Sequence, residues 1–186
     1  AAGFGGLKDK SFIELWDIDR RERLAVMPGT TDIPGYPTSE DNGMVSGLAF
    51  SPDGRYLAAG FGTINTLSSG DRGDFPIKIY DVAKRRTIRR LAGPRNNGVA
   101  VKFSKDGSRL ACACFDGNAY VWDTASWQLS YGPLSNPDTA SDLGGRRVQD
   151  VAFSPDGSRL AMASAEGNVH IWNAATGEHL ETLGGH

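Results

Sequence analysis

The chain has 186 residues and a formal net charge of −2, with charged residues making up 23% of it. That length accommodates one domain with a core of its own, and the near-zero balance gives no overall electrostatic footprint for nucleic acid or an anionic membrane. No apolar run approaches the roughly 20 residues that cross a bilayer as a helix. The sequence opens Ala1-Ala2-Gly3-Phe4, with neither a Met nor a signal peptide, and is expected to be a cut or processed piece.

In chain order, the first strand signal is Ile13-Glu14-Leu15-Trp16-Asp17, alternating residues that end in an aromatic and a carboxylate. A longer unit then appears three times. It begins with an apolar strand, a Phe-Ser-(Pro or Lys)-Asp-Gly turn and a second strand, over 48–58, 101–111 and 151–161. Pro presets φ for such a turn, and Asp-Gly tolerates positive φ. Lys105 takes the place of Pro in the middle copy, which keeps its Asp-Gly. A third strand follows each copy and repeats the first signal: Ile77-Lys78-Ile79-Tyr80-Asp81, Ala119-Tyr120-Val121-Trp122-Asp123 and Val169-His170-Ile171-Trp172-Asn173. A shorter fourth strand is predicted over 87–91, 127–131 and 179–183. The unit is therefore a four-stranded antiparallel meander, with strands named a to d, and no helical periodicity competes with it.

Cys112 and Cys114 are the two cysteines. Two apart on a strand, their Cα atoms are separated by roughly 6.5–7 Å, at or beyond disulfide reach. Two free, buried thiols are expected, which suits a reducing compartment and a cytoplasmic protein. No Cys/His cluster has metal-ligand spacing, and no metal or cofactor is expected.

Phe-Ser-Pro-Asp-Gly, then Leu-Ala, then Trp-Asp resembles the WD-repeat β-propeller family, whose unit is one four-stranded blade. The resemblance covers nearly the whole chain. It implies an all-β fold of propeller blades forming an open arc: a half blade over 1–27, full blades over 43–91, 97–133 and 146–183, and the start of a further blade at 184–186. It also implies structural repeat roles for Trp16, Asp17, Tyr80, Asp81, Trp122, Asp123 and Trp172. Blades of the family often link a His before strand a, an Asp in the b–c turn and a strand-b Ser or Thr to the Trp. Only Gly185-His186 carries that His here, while Asp116 and Ser164 are single members left in different blades. Blade packing is then expected to rest mainly on apolar burial. An arc leaves sheet faces open, so further blades of a parent chain, or self-association, are expected to cover them.

The spacing also breaks its own rule. Phe103 to Trp122 and Phe153 to Trp172 are each 19 residues, but Phe50 to Tyr80 is 30, an excess of 11 in a b–c loop. Tyr80 to Phe103 is 23, whereas Trp16 to Phe50 is 34 and Trp122 to Phe153 is 31, so two d–a loops are longer by 11 and 8. In a meander the b–c and d–a connections share one end, and all three expansions fall there. Insertions gathered on one face of a rigid scaffold suggest a binding surface. The loops are 28–43, 62–76 and 132–147, and their candidate contacts for a protein or peptide partner are Tyr36, Asp71, Arg72, Phe75, Arg146 and Arg147, with Arg95 on the same end.

An enzyme is not expected. The repeated Ser51, Ser104 and Ser154 serve turns, as do Asp53, Asp106 and Asp156. His170 aligns with Glu14, Lys78 and Tyr120 and is read as a blade-surface residue, with no nucleophile–base–orienter set around it. The leading reading is a non-catalytic interaction scaffold, with no nucleic acid or membrane partner. The alternative is a regulatory or sensing propeller segment of a larger signalling kinase or protease whose catalytic part lies outside these residues.

Overall fold

The structure is a computed structural model that describes residues 2–4, 12–28, 44–62, 76–138 and 147–184. The described residues form strands and turns, arranged as four sheets in succession. The first sheet holds β1 (Ala2–Phe4), β2 (Phe12–Asp17) and β3 (Glu22–Pro28). The second holds β4 (Met44–Phe50), β5 (Tyr56–Gly62), β6 (Ile77–Asp81) and β7 (Arg86–Leu91). The third holds β8 (Gly98–Phe103), β9 (Arg109–Cys114), β10 (Asn118–Asp123) and β11 (Leu134–Ser135). The fourth holds β12 (Val148–Phe153), β13 (Arg159–Ser164), β14 (Val169–Asn173) and β15 (His179–Leu183). Every pairing among the described residues is antiparallel between chain neighbours, so the last three sheets are a-b-c-d meanders and the first is a three-stranded one, and the described sheets do not close into a ring.

Two differences from the sequence reading concern strands. The first blade has one strand more than a back half, because β1 pairs with β2 through Gly3 opposite Ile13. In the third blade, residues 127–131 do not form the expected strand d. Trp127 takes a left-handed backbone (φ 58°), and only an isolated bridge joins Leu129 to Trp122. Pro133 has no N–H to offer a ladder, and pairing resumes beyond it at β11, where Leu134 faces Ala119. That sheet therefore reaches Ser135, past the 133 read from the sequence.

The repeated phrases become two kinds of turn. In the a–b turn the serine hydroxyl donates to the aspartate two residues on, at 2.6 Å for Ser51–Asp53 and for Ser104–Asp106. The same serine oxygen accepts the amide five residues on, at 2.9 Å for both Tyr56 and Arg109. Gly54, Gly107 and Gly157 close these turns at φ 69°, 75° and 71°. Because serine, aspartate and glycine hold the turn, Lys105 replaces Pro without changing it. In the c–d turn the residue after the aromatic caps the turn: Asp17, Asp81 and Asp123 accept the amides of Arg20, Lys84 and Ser126 at 3.0, 2.9 and 2.8 Å. Asn173 does the same for Thr176 at 3.1 Å, so its amide oxygen replaces the carboxylate.

The core is three layers, each between adjacent sheets. Ile13, Leu15 and Met27 meet Leu57, Ala59, Phe61 and Tyr80 in the first. Ala58, Ile77, Ile79 and Leu91 meet Val101, Leu110, Cys112, Cys114, Tyr120 and Trp122 in the second. Ala111, Ala113, Val121 and Leu134 meet Val148, Val151, Leu160, Met162 and Trp172 in the third. The strand-c aromatics Tyr80, Trp122 and Trp172 thus pack on the preceding sheet. Trp16 belongs to the first sheet and is 45% exposed, because no described sheet precedes it. Glycine lets the inner strands approach: a Cβ on Gly60 would sit 2.5 Å from the Gly98 carbonyl oxygen, and one on Gly47 would sit 2.9 Å from that of Val99. Ser46 bridges the same seam by donating to the Gly98 carbonyl.

Candidate partner-binding end

The meander puts the β5–β6, β3–β4 and β11–β12 connections at one end of the arc, so the flanking strand ends of all three long loops open to the same side. Tyr36, Asp71, Arg72, Phe75 and Arg146 lie outside the described residues. Arg95 and Arg147 are described. Arg95 is exposed, and its amide donates to the Asp116 carboxylate at 2.9 Å. The Arg147 guanidinium carbon lies over the Phe115 ring, 5.1 Å from its centre, so the cation already contacts the neighbouring blade. Both arginines therefore stand on a framework that fixes their backbone or side chain.

Asp116, in the β9–β10 turn, is the hub of that framework in the third blade. It accepts the Tyr120 hydroxyl at 2.7 Å, the Arg95 amide at 2.9 Å and the Asn118 amide at 3.0 Å. Burial, reinforced by the Asp116 carboxylate, pushes the Tyr120 phenol far up, so it stays a donor.

The fourth blade solves the same problem with the roles exchanged. Its carboxylate, Asp138, comes from the incoming d–a segment. Asn168 of the β13–β14 turn donates to Asp138 at 2.9 Å, and His170 Nε2 lies 3.2 Å from Asp138 Oδ2. Asn136, two residues earlier, donates to the Ser164 hydroxyl at 2.9 Å. On the far side of the imidazole, His170 Nδ1 is 2.9 Å from the Thr182 hydroxyl, which is 3.3 Å from His179 Nε2. Burial raises the Asp138 carboxyl, but hydrogen bonds from Ser164, Asn168 and His170 outweigh it and hold the group below its ordinary value.

His170 is thus corrected from a surface residue to a buried one, at 1% exposure. Its aligned counterpart Lys78 is equally buried, with its ammonium 4.4 Å from the centre of the Phe61 ring. In the second, third and fourth blades this strand-c position faces the preceding sheet, and in the first it lies on the open outer face. Its varied polar residues are each matched to a local partner, as Glu14 is to Arg23 at 2.8 Å. The sequence reading missed Asn136, Asp138 and Asn168. The signal was Asn136-Pro137-Asp138, a turn-forming run just where the d–a loop leaves β11. Trp172 keeps a buried indole N–H without a hydrogen-bond partner among the described residues. Ser164 serves Asn136, and that blade holds its Trp by apolar burial as expected.

Among the described residues no group of three or more His, Cys, Asp or Glu is placed to hold a metal ion. Among the described residues no helix is long and apolar enough to cross a membrane. Burial raises both thiols, Cys112 far up and Cys114 to about 12, and both are free.

A succession of antiparallel meanders, three of them four-stranded, with short turns at one end and long connections at the other defines a blade-repeat scaffold. The chain is a member of the WD-repeat family. The family model described as "WD domain, G-beta repeat" matches residues 33–72 and 85–123, and that of the "Anaphase-promoting complex subunit 4 WD40 domain" matches 121–185. The chain is similar to WD repeat-containing protein VIP3 of Arabidopsis thaliana, at 33% identity over 126 residues, covering 61% of this chain and 33% of that protein. It is also similar to the Periodic tryptophan protein 2 homolog of Dictyostelium discoideum, at 27% identity over 146 residues, covering 78% of this chain and 13% of that protein. A third relative is the U3 small nucleolar RNA-associated protein 21 homolog of Schizosaccharomyces pombe, at 34% over 70 residues, 38% of this chain and 8% of that protein. The chain spans a third or less of the length of these relatives. WD-repeat proteins are in general interaction scaffolds without chemistry of their own.

Proposed function

We propose that this chain is a non-catalytic protein–protein interaction scaffold that binds a protein or peptide through the end carrying the long b–c and d–a connections, in the cytoplasm. One observation carries the reading: the three connections that exceed the repeat spacing all leave from that end, while the turns at the other end are uniform. Function on a repeat scaffold resides where the repeat is broken. The Asp116 and Asp138 networks support the same assignment, because they fix the bases of the connections onto the blades and so pre-order the surface.

The contacts are Arg95, Arg146 and Arg147, together with Tyr36, Asp71, Arg72 and Phe75. The test compares partner binding by the parent protein with three variants: Arg146→Ala/Arg147→Ala, Tyr36→Ala, and a deletion within 63–75. The expected result is weaker binding with an unchanged thermal transition. Undiminished binding in all three rejects the assignment.

A further inference from the structure

The rim of the second blade carries a concentration of positive charge that the net balance hides. Lys84, Arg85, Arg86, Arg89 and Arg90 fall within seven residues of the β6–β7 turn and β7, out of 20 Lys and Arg in the chain. Lys84, Arg85, Arg86 and Arg89 are exposed. Asp81 is the nearby carboxylate, and it is committed to the turn and to Lys84 at 3.4 Å. Among the described residues Arg85 and Arg86 have no acidic partner. The other rims differ. On the first blade Arg20 and Arg23 pair with Asp17 and Glu14, residues 125–130 of the third carry no charge, and the fourth carries Glu178 and Glu181.

The number of cations sets this strip apart from ordinary edge protection. A charge of either sign blunts an edge strand, and the fourth blade uses glutamates. Nothing in that role calls for five cations. The left-handed position of the c–d turn is common to the repeat, held by Arg21, Arg85, Trp127 and Gly177 at φ 57°, 53°, 58° and 74°, so the strip is marked by its charge and not by its backbone.

We propose that β7 is a docking edge for an acidic polypeptide segment that adds to the second sheet as a further antiparallel or parallel strand. β7 pairs with β6 alone among the described residues, so its other edge presents alternating N–H and C=O groups. An extended peptide satisfies both kinds of group, and carboxylates on it meet the arginines in charge-assisted pairs. A phosphate backbone answers the arginines but offers the carbonyls no regular row of donors, which favours a polypeptide over nucleic acid. This surface lies on the rim, apart from the loop-bearing end.

The test titrates the whole chain into a labelled peptide of alternating Glu and Val, matched in length to β7, and follows anisotropy. Saturable binding that weakens with salt is expected, with a loss of about ten-fold or more in Arg86→Glu/Arg89→Glu. Arg86→Gln/Arg89→Gln gives the same direction if the reversed pair fails to fold. Methylating alternate peptide nitrogens should weaken binding about as much, since strand addition needs those donors. Arg85→Gly should weaken binding without lowering the melting temperature. Equal binding by the charge variants, equal binding by the methylated peptide, or preference for a single-stranded RNA of equal charge overturns the proposal. Arg146→Ala/Arg147→Ala should leave this binding unchanged, so failure at the rim is separable from failure at the loop end.

Discussion

His170 Nε2 lies 3.2 Å from Asp138 Oδ2, joining the segment that enters the fourth blade to a histidine buried beneath it. Neither atom has another hydrogen-bond partner among the described residues, so each depends on the other. Asp138→Ala should therefore destabilise the protein by about 1–3 kcal/mol, the penalty for orphaning a buried polar group. His170→Phe leaves Asp138 Oδ2 without its partner in turn, so the double variant Asp138→Ala/His170→Phe, which removes both groups, should cost less than the sum of the single variants. Urea unfolding of the two single variants and the double variant checks this.

The acid limb of the stability profile follows from the depressed carboxyls. Hydrogen bonds from serine hydroxyls and amides bring Asp106 and Asp156 from 3.8 to about 2, and Asp138 is lowered as well. A carboxyl whose folded value is depressed stabilises the fold above its unfolded value and loses that contribution as pH falls through its folded value. Stability should therefore be insensitive to these groups near neutrality and fall between about pH 4 and 2. Replacing Asp106 and Asp156 by Asn should flatten that limb in a denaturant series across pH.

Gly60→Ala should cost about 1–3 kcal/mol or more, the range for overpacking, because its Cβ would lie 2.5 Å from the Gly98 carbonyl oxygen, a backbone atom that cannot swing away. Gly132→Ala meets nothing within 4 Å and should be nearly neutral, so the pair of melting curves isolates the contact.

Cys112 and Cys114 should resist thiol reagents in the folded protein at pH 8. Both side chains are buried and both thiols are raised, so little thiolate exists to react. The rate of labelling should match the rate of unfolding and rise when denaturant is added. Fast labelling of either thiol in native buffer would contradict the packing of the second layer.

The outer face of the first sheet presents Trp16, Leu24 and Val26 at 45%, 47% and 50% exposure. An apolar sheet face of this kind favours association. The 186-residue chain alone should sediment as an oligomer or a broad distribution, and Trp16→Ser/Val26→Ser should shift it toward monomer.

Strands and turns were legible in the sequence because each rests on local signals. Phe-Ser-Pro-Asp-Gly specifies its own hydrogen bonds, and Ile-Tyr-Asp or Val-Trp-Asp specifies a strand and its cap. Strand d of the third blade was misplaced because residues 127–131 alternate adequately, while Pro133, with no N–H for the ladder, lies just beyond them. Trp127 holds its left-handed backbone while its ring meets Tyr56 of the neighbouring blade edge-on at 5.4 Å, a contact no local pattern encodes. His170 was misread for a related reason. Position two of strand c varies among Glu14, Lys78, Tyr120 and His170, and variation resembles exposure. Burial there is compatible with any polar group that finds a partner, and for His170 that partner, Asp138, comes from the segment entering the blade, far from it in sequence. The direction of the long loops was legible from counting alone, whereas Tyr36, Asp71, Arg72, Phe75 and Arg146 fall outside the described residues.

The three inter-sheet layers share no residue, and each joins only two neighbours. The molecule is wired in series. An event at Trp16 is felt at Trp172 only after passing through the first, second and third layers in turn, and a softened middle layer would disconnect the two halves. Coupling between a ligand on one blade and a ligand on another should therefore decay with the number of interfaces between them, and any path from the first sheet to the fourth crosses the layer that holds Cys112.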